Sequence, residues 1–189
     1  MKLLPIIVKI NLLICTSSDP YTLSRTEALN AWNKAGVLEQ QINVKRNRVW
    51  VKVRSCNLPT DYKELYSGRQ FNRLLRFFPK NSKALNTAII PGLSDDDKRG
   101  IGGVTNGMCG RKDDWNMSIA ALTPINASGE DRLLEAPYGI AHEEAHNFGC
   151  WHDDSIPNIM NTNPLPLIKS LGSLKFLRAC KQEVKECYL

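Results

Sequence analysis

All three histidines of this 189-residue chain fall within one short segment, residues 142–152 (HEEAHNFGCWH). Residues four apart on a helix lie one turn apart on the same face, so the imidazoles of His142 and His146 can point at one ion. Gly149 suits the left-handed conformation that ends many helices, and a turn there would bring His152 back toward the same point. The spacing therefore predicts a helix, a sharp turn and a metal ion held between the three side chains.

The types of side chain in this segment indicate which metal to expect. Catalytic zinc takes three protein ligands and keeps a fourth position for water, and three neutral imidazoles suit it. His142, His146 and His152 are therefore predicted to bind Zn2+. Glu143 follows the first ligand directly, so its carboxylate can reach a water molecule beside the metal and act as a general base. The pentapeptide HExxH also occurs by chance in unrelated proteins, but here every histidine of the chain falls on a ligand position.

Length and composition limit the class of protein. A chain of 189 residues has the size of one ordinary domain, so we expect a single domain over residues 1–189. Hydrophobic residues make up 42% and charged residues 23%, which is typical of globular proteins. No stretch reaches the roughly 18 consecutive apolar residues of a membrane span. The net charge is +6, but the basic residues are scattered without interleaved aromatic residues, so we expect a solvated basic surface and no nucleic-acid site.

The six cysteines include no CxxC pair, which favours disulfides and therefore an oxidising, extracellular compartment. The first fifteen residues (MKLLPIIVKINLLIC) leave two interpretations open. Lys2 followed by apolar residues is typical of a signal peptide, but Lys9 and Asn11 interrupt the apolar run. Alternating, largely β-branched residues favour a β-strand instead. We prefer the strand.

Other segments predict an α/β domain. Ser24 and Glu27 form a capping-box pattern, which predicts a helix over residues 25–35 that ends at Gly36. Two strands, residues 42–44 and 49–53, are predicted to form a hairpin that turns at residues 45–48. An apolar stripe predicts an amphipathic helix over residues 71–78, and Pro137 suits the first turn of the histidine-bearing helix. Further strands are predicted within residues 88–90, 100–108 and 117–122.

The extended motif H-E-x-x-H-x-x-G-x-x-H resembles that of the metzincin zinc metalloproteases, and residues 146–153 are most similar to the adamalysin (reprolysin) branch. The resemblance implies a metzincin-like zincin fold of the α/β class. Its twisted, mostly parallel five-stranded sheet would carry an antiparallel edge strand, and an active-site helix and a C-terminal helix would pack on it. Residues 5–14 would then form a central strand. Residues 173–184 would form the last helix, with Leu174, Leu177 and Val184 facing the sheet.

The resemblance also implies roles for individual residues. Met160, eight residues beyond His152, would form the methionine turn beneath the metal. The edge strand would bind the substrate backbone through Gly102, Gly103 and Val104. A disulfide would join Cys109 to a cysteine near the C-terminus. Cys187 is the expected partner and Cys180 is its competitor.

The activity implied is that of a secreted zinc metalloendopeptidase, which hydrolyses peptide bonds of protein or peptide substrates with a water activated by Glu143. The alternative is a catalytically weak zinc-site domain that acts as a binding or decoy module. The link from His152 to Met160 is shorter than in adamalysins and lacks their cysteines, and Thr162 stands where astacins carry a tyrosine ligand. A zinc-dependent amidase would need a pocket, whereas the glycine-rich edge at residues 100–104 favours a cleft that binds an extended backbone.

Overall fold

One mixed sheet organises the chain, with strand order β2-β1-β3-β5-β4. Neighbouring strands run parallel, except that β4 is antiparallel to β5. The predicted α/β class with a mostly parallel sheet is confirmed. The strands are β1 (Ile6–Thr16), β2 (Val44–Ser55), β3 (Leu85–Ile89), β4 (Gly103–Asn106) and β5 (Ile119–Leu122). The helices are α1 (Arg25–Glu39), α2 (Gly68–Leu75), α3 (Gly129–Asn147) and α4 (Arg178–Tyr188). The computed structural model describes residues 4–18, 22–58, 64, 67–80, 83–90, 103–106, 119–122, 129–162 and 173–188.

β1 lies inside the sheet between β2 and β3, and its residues from Ile10 to Cys15 are all buried. In a parallel sheet that is covered on both faces, a central strand is apolar at nearly every position. This explains the nearly continuous apolar sequence of β1. The preferred strand interpretation of this segment is confirmed. Asn11, the polar residue that interrupts the run, donates its side-chain amide to the side-chain oxygen of Asn86 on β3 at 2.9 Å.

α1 begins as its sequence predicts but ends later. Ser24 accepts a hydrogen bond from the backbone of Glu27, whose carboxylate accepts one from the backbone of Ser24, so the capping box is present. The predicted end at Gly36 is wrong, because the helix continues to Glu39. A Cβ atom at position 36 would lie 3.1 Å from Nε of Arg46. Glycine therefore allows a guanidinium group to pack against the helix, and it does not mark the end of the helix.

β2 is one strand of twelve residues, so the predicted hairpin turn at residues 45–48 is wrong. The turn comes earlier, at Asn43, whose φ of 64° places it in the left-handed region. Side chains alternate along a strand. Lys45 and Arg48 are exposed, whereas the side chain of Arg46 is only 4% exposed and pairs with buried carboxylates. Basic residues therefore do not mark a turn here, because one points inward and is paired.

Two apolar clusters cover the sheet. In one, Phe71, Leu74 and Phe78 pack with Leu13 and Ala88. The predicted amphipathic stripe is therefore present, although α2 ends at Leu75 and a turn continues to Phe78. The other cluster combines α1, α3 and α4 with β1, and it includes Ala141, Ala145 and Met160.

The remaining predicted strands differ from the structure in their bounds. The strand predicted at residues 88–90 begins earlier, because β3 starts at Leu85. β4 and β5 lie within the predicted ranges 100–108 and 117–122, and the other residues of those two ranges are outside the described part of the chain.

Two helix starts differ from prediction. α3 begins at Gly129 and contains Pro137 in its interior, where the missing N–H removes one helical hydrogen bond without ending the helix. α4 begins at Arg178 instead of residue 173, because residues 173–177 are not helical and Lys175 forms an isolated β-bridge with Asn158. There the backbone N–H of Lys175 donates to the carbonyl oxygen of Pro157, and the carbonyl oxygen of Lys175 accepts from the N–H of Ile159. In the part of the chain that is described, no helix is long and apolar enough to cross a membrane.

Every cysteine within the described ranges is in a disulfide. Cys15 is bonded to Cys56, Cys150 to Cys180, and Cys187 is also bonded. The competing assignment of Cys180 to Cys109 is thereby excluded. Disulfides of this kind indicate an oxidising compartment.

The Cys109–Cys187 bridge stays a prediction, because Cys109 lies outside the described residues. We expect a non-reducing peptide map to yield one fragment that joins the peptides of Cys109 and Cys187. Closing so long a loop would stabilise the fold by about 4–5 kcal/mol in the chain-entropy model. Recovery of Cys109 as a free thiol would contradict the predicted pairing.

Candidate metal centre

The C-terminal end of α3 has the hydrogen bonds of a helix stopped by glycine. The N–H of Gly149 donates to His146, and the N–H of Cys150 donates to Ala145. Gly149 has a φ of 104°, which side chains disfavour. This paired arrangement is the Schellman motif. The predicted turn at Gly149 is therefore confirmed, and it directs the following segment back toward the last turn of the helix.

The three histidine side chains meet at this turn. The Nε2 atom of His142 lies 3.2 Å from that of His146 and 3.1 Å from that of His152, and the latter two lie 3.1 Å apart. Zinc bound tetrahedrally at Zn–N distances of about 2.0–2.1 Å places its nitrogen ligands roughly 3.3 Å from one another. The three nitrogen atoms thus have nearly the spacing that one zinc ion imposes. The site formed by His142, His146 and His152 fits Zn2+.

The other ring nitrogens determine the tautomers of two of these histidines. Nδ1 of His142 lies 2.7 Å from the carbonyl oxygen of Ile159, and Nδ1 of His146 lies 2.7 Å from that of Cys150. A carbonyl oxygen only accepts hydrogen bonds, so each Nδ1 must carry the proton. Each Nε2 therefore presents a bare lone pair toward the centre, as a metal ligand does. Two lone pairs facing one another at 3.2 Å repel unless a cation lies between them.

Burial favours the neutral forms of His142 and His146. It lowers the pKa of His142 to about 4, while the hydrogen bond to Ile159 opposes this shift and the neighbouring histidines reinforce it. Burial also lowers the pKa of His146, again against a hydrogen bond to a backbone carbonyl. Metal ions bind the neutral form of histidine. At neutral pH, both side chains are already in the form that binds zinc.

The segment that carries His152 is tied to the turn around Met160. The N–H of Asp153 donates to the carbonyl oxygen of Met160 at 3.1 Å, and Nδ2 of Asn158 donates to the carbonyl oxygen of Asp153 at 3.0 Å. One carboxylate oxygen of Asp154 accepts from both the N–H and the hydroxyl of Thr162. Met160 itself is fully buried, directly after the carbonyl that holds His142. The loop after His152 is therefore fixed by hydrogen bonds to the segment that holds the first histidine.

Two adjacent glutamates on α3 have different surroundings. The carboxylate of Glu143 accepts a hydrogen bond of 2.7 Å from the hydroxyl of Thr105 on β4. Burial raises the pKa of Glu143 to about 7, and this hydrogen bond opposes the rise. Glu144 is oriented toward other elements. Its carboxylate accepts from Trp32 at 3.1 Å and from Thr87 at 2.6 Å, and it lies 3.2 Å from Arg46. The side chain of Glu144 is thus engaged in core contacts, whereas that of Glu143 faces the edge strand β4.

The structure brings together most of the residues predicted from sequence. The three histidines converge, Glu143 follows the first of them, and Gly103 and Val104 lie on β4. Gly102 lies outside the described residues. The sequence did not predict the contact of Thr105 with Glu143 or those of Arg46 with Glu39 and Glu144. The carboxylate and amide contacts around Asp154 were not foreseen either, although Asp and Asn are frequent turn formers.

We expect His152→Ala to lower the zinc affinity by a factor on the order of 10² or more, because it removes one of three ligands. Competition with a chromophoric chelator measures the affinity directly. Trp151→Ala is the matched control, since the Trp151 side chain is 63% exposed on the same turn. Wild-type zinc affinity in the His152→Ala variant would show that the third ligand lies elsewhere.

Three solved structures share this fold. An archaemetzincin from Methanopyrus kandleri superposes with a TM-score of 0.62 at 16% identity, over 95% of this chain and 94% of that chain. A zinc-dependent peptidase from Methanocorpusculum labreanum gives 0.58 at 14% identity, over 93% and 99%. Metalloproteinase-II from Bacteroides fragilis gives 0.63 at 16%, over 97% of this chain but 53% of that chain. No family model and no curated protein matches the sequence. The chain therefore has the fold of zinc-dependent peptidases, and it carries within that fold a three-histidine site that fits Zn2+.

Proposed function

We propose that this chain is a zinc-dependent metalloendopeptidase of the metzincin type, with a single catalytic domain over residues 1–189. The adamalysin branch is the subfamily that the motif favours. One observation carries the proposal: three imidazole nitrogens meet at zinc-ligand spacing, with Glu143 next to the first ligand in sequence. The similarity to structures named as peptidases supports the same reading.

His142, His146 and His152 would hold the metal. Zinc bound there would supply Lewis acidity, which polarises a peptide carbonyl and makes water more acidic. The backbone carbonyls of Ile159 and Cys150 orient the first two imidazoles, and this is the contact that usually fixes the tautomer of a metal ligand. Met160 would serve as the methionine turn, since its own backbone is joined to the residue that follows His152.

Glu143 would act as general base and then as general acid. Burial raises the pKa of Glu143 above that of an exposed glutamate, which makes the carboxylate a better proton acceptor. It would take the proton of the attacking water and deliver it to the amine that leaves when the peptide bond breaks. Glu144 does not compete for this role, because its oxygens are already engaged by Trp32, Thr87 and Arg46.

The substrate would bind as an extended strand along β4. This strand pairs with β5 on one side, and no strand among the described residues pairs with its other side. An open antiparallel edge can add a peptide through backbone hydrogen bonds. Gly102, Gly103 and Val104 would provide those hydrogen bonds, and glycine lets a second backbone approach closely. Protein or peptide segments in an extended conformation are therefore the expected substrates. The disulfides support secretion of the enzyme into an oxidising compartment.

A library of peptides blocked at both termini tests this proposal. We expect cleavage at internal bonds, identified by mass spectrometry, in zinc-loaded protein and none after treatment with a chelator. Blocked termini exclude exopeptidases, so cleavage would establish the endopeptidase class. Stoichiometric zinc without cleavage of any peptide would contradict the proposal and favour a catalytically weak binding or decoy module.

A further inference from the structure

Thr105 joins the edge strand β4 to the helix that carries the proposed ligands. Its hydroxyl oxygen lies 2.7 Å from Oε2 of Glu143 and 2.8 Å from the backbone carbonyl oxygen of the same residue. The backbone carbonyl oxygen and an ionised carboxylate only accept hydrogen bonds, so toward the ionised Glu143 the hydroxyl is the donor. One side chain of the edge strand therefore contacts both the backbone and the carboxylate of the proposed base.

The two contacts of this hydroxyl differ in strength. A hydroxyl has one hydrogen, so it cannot donate fully to both oxygens. Hydrogen bonds to an ionised carboxylate are about twice as strong as those between neutral groups. The helix carbonyl is also placed to accept from the backbone N–H four residues further along α3. When Glu143 is ionised, we therefore expect the hydrogen to point at its Oε2 atom.

The carboxylate of Glu143 needs a fixed position for proton transfer. A glutamate side chain has several rotatable bonds, and ordering it costs conformational entropy. Glu143 is 7% exposed, so bulk water has little access to it. Catalytic groups are usually held by such supporting contacts, and a misplacement of about 1 Å can cost a large factor in rate. The hydroxyl of Thr105 is a contact of this kind.

The position of Thr105 in the sheet links it to the proposed substrate-binding edge. Thr105 pairs with Ala120 of β5, and its neighbour Val104 pairs with Ala121. The other side of β4 is the edge on which the peptide substrate would lie. The strand that would receive the substrate therefore also supplies the hydrogen bond to the base.

We propose that Thr105 is a positioning residue, whose hydroxyl holds the Glu143 carboxylate for proton transfer and ties it to the substrate-binding strand. This inference rests on the proposed function. It assigns Thr105 no contact with the substrate or the metal. Its effect must therefore appear in turnover and in the position of Glu143, while zinc content and substrate binding stay unchanged.

The test compares Thr105→Val, which keeps the shape and removes the hydroxyl, with Thr105→Ser, which keeps the hydroxyl. For a blocked peptide, we expect kcat about tenfold lower in Thr105→Val, with KM and bound zinc near the wild-type values. Thr105→Ser should retain most of the wild-type kcat. A rise in KM at constant kcat would show that Thr105 only docks β4 on the helix, and this result would overturn the proposal. An unchanged kcat in Thr105→Val would overturn it as well.

Crystal structures of the zinc-loaded wild type and Thr105→Val provide a readout that does not need activity. We expect the Glu143 carboxylate to move, or to divide between conformers, in Thr105→Val and to stay in place in Thr105→Ser. An unmoved carboxylate in Thr105→Val would overturn the proposal. Zinc-loaded wild type that cleaves no peptide would count against the proposed function instead, and the crystallographic comparison would still decide the role of Thr105.

Discussion

Glu143→Ala is expected to reduce peptide hydrolysis by a factor on the order of 10² or more while zinc stays bound, because it removes the general base and no ligand. The loss should appear in kcat, since the carboxylate acts on the proton and not on substrate binding. Metal analysis and circular dichroism of the same sample would show whether zinc and fold are retained. The steady-state rate on a blocked peptide measures the effect.

Glu186→Ala is the control for this variant, because Glu186 is exposed on α4 and has no assigned role in the site. We expect its rate to match that of the wild type. Near-normal turnover in Glu143→Ala would show that the proton is carried by another group. A loss of zinc in Glu143→Ala would show instead that the carboxylate is a ligand.

Arg46→Met is expected to lower the free energy of unfolding by about 3–5 kcal/mol. The guanidinium group of Arg46 lies 2.7 Å from Glu39, 3.2 Å from Glu144 and 4.2 Å above the ring of Trp32. Burial raises the pKa of Glu39 well above its usual range, and Arg46 opposes that rise. Without the arginine, two buried carboxyl groups lose their cation. Urea unfolding of the zinc-free protein measures the change without the contribution of bound metal.

Lys52→Met is the matched control, because Lys52 is an exposed basic residue on the same strand. We expect its effect to be within about 0.5 kcal/mol. Adding Glu39→Gln to Arg46→Met should recover part of the lost stability, since it removes one of the two carboxyl groups left without a cation. Equal stabilities of Arg46→Met and the wild type would mean that this buried group does not stabilise the fold.

Local signals in the sequence predicted local structure well. The capping box at Ser24 and the glycine turn at Gly149 each depend on residues only a few positions apart, and both are present. The histidine spacing belongs to the same class, because a helix turn and a glycine turn are enough to bring the three side chains together. These features could be predicted since no distant contact is needed to form them.

The errors lie where a distant contact decides the local structure. Gly36 lies inside α1, where the guanidinium group of Arg46 on the next strand packs close to it, so this glycine serves a distant contact and not a helix end. Residues 173–177 are not helical, and the backbone of Lys175 pairs instead with the segment around Asn158. The contact from Thr105 to Glu143 joins residues 38 positions apart, and no local pattern encodes it.

A zinc titration of the metal-free protein tests the central claim most directly, with hydrolysis of a blocked peptide followed at each step. We expect activity to rise in proportion to zinc and to stop rising at one zinc per chain, and we expect His152→Ala to need far more zinc to reach any activity. Full occupancy by one zinc with no hydrolysis, or hydrolysis that is already complete without zinc, would contradict it.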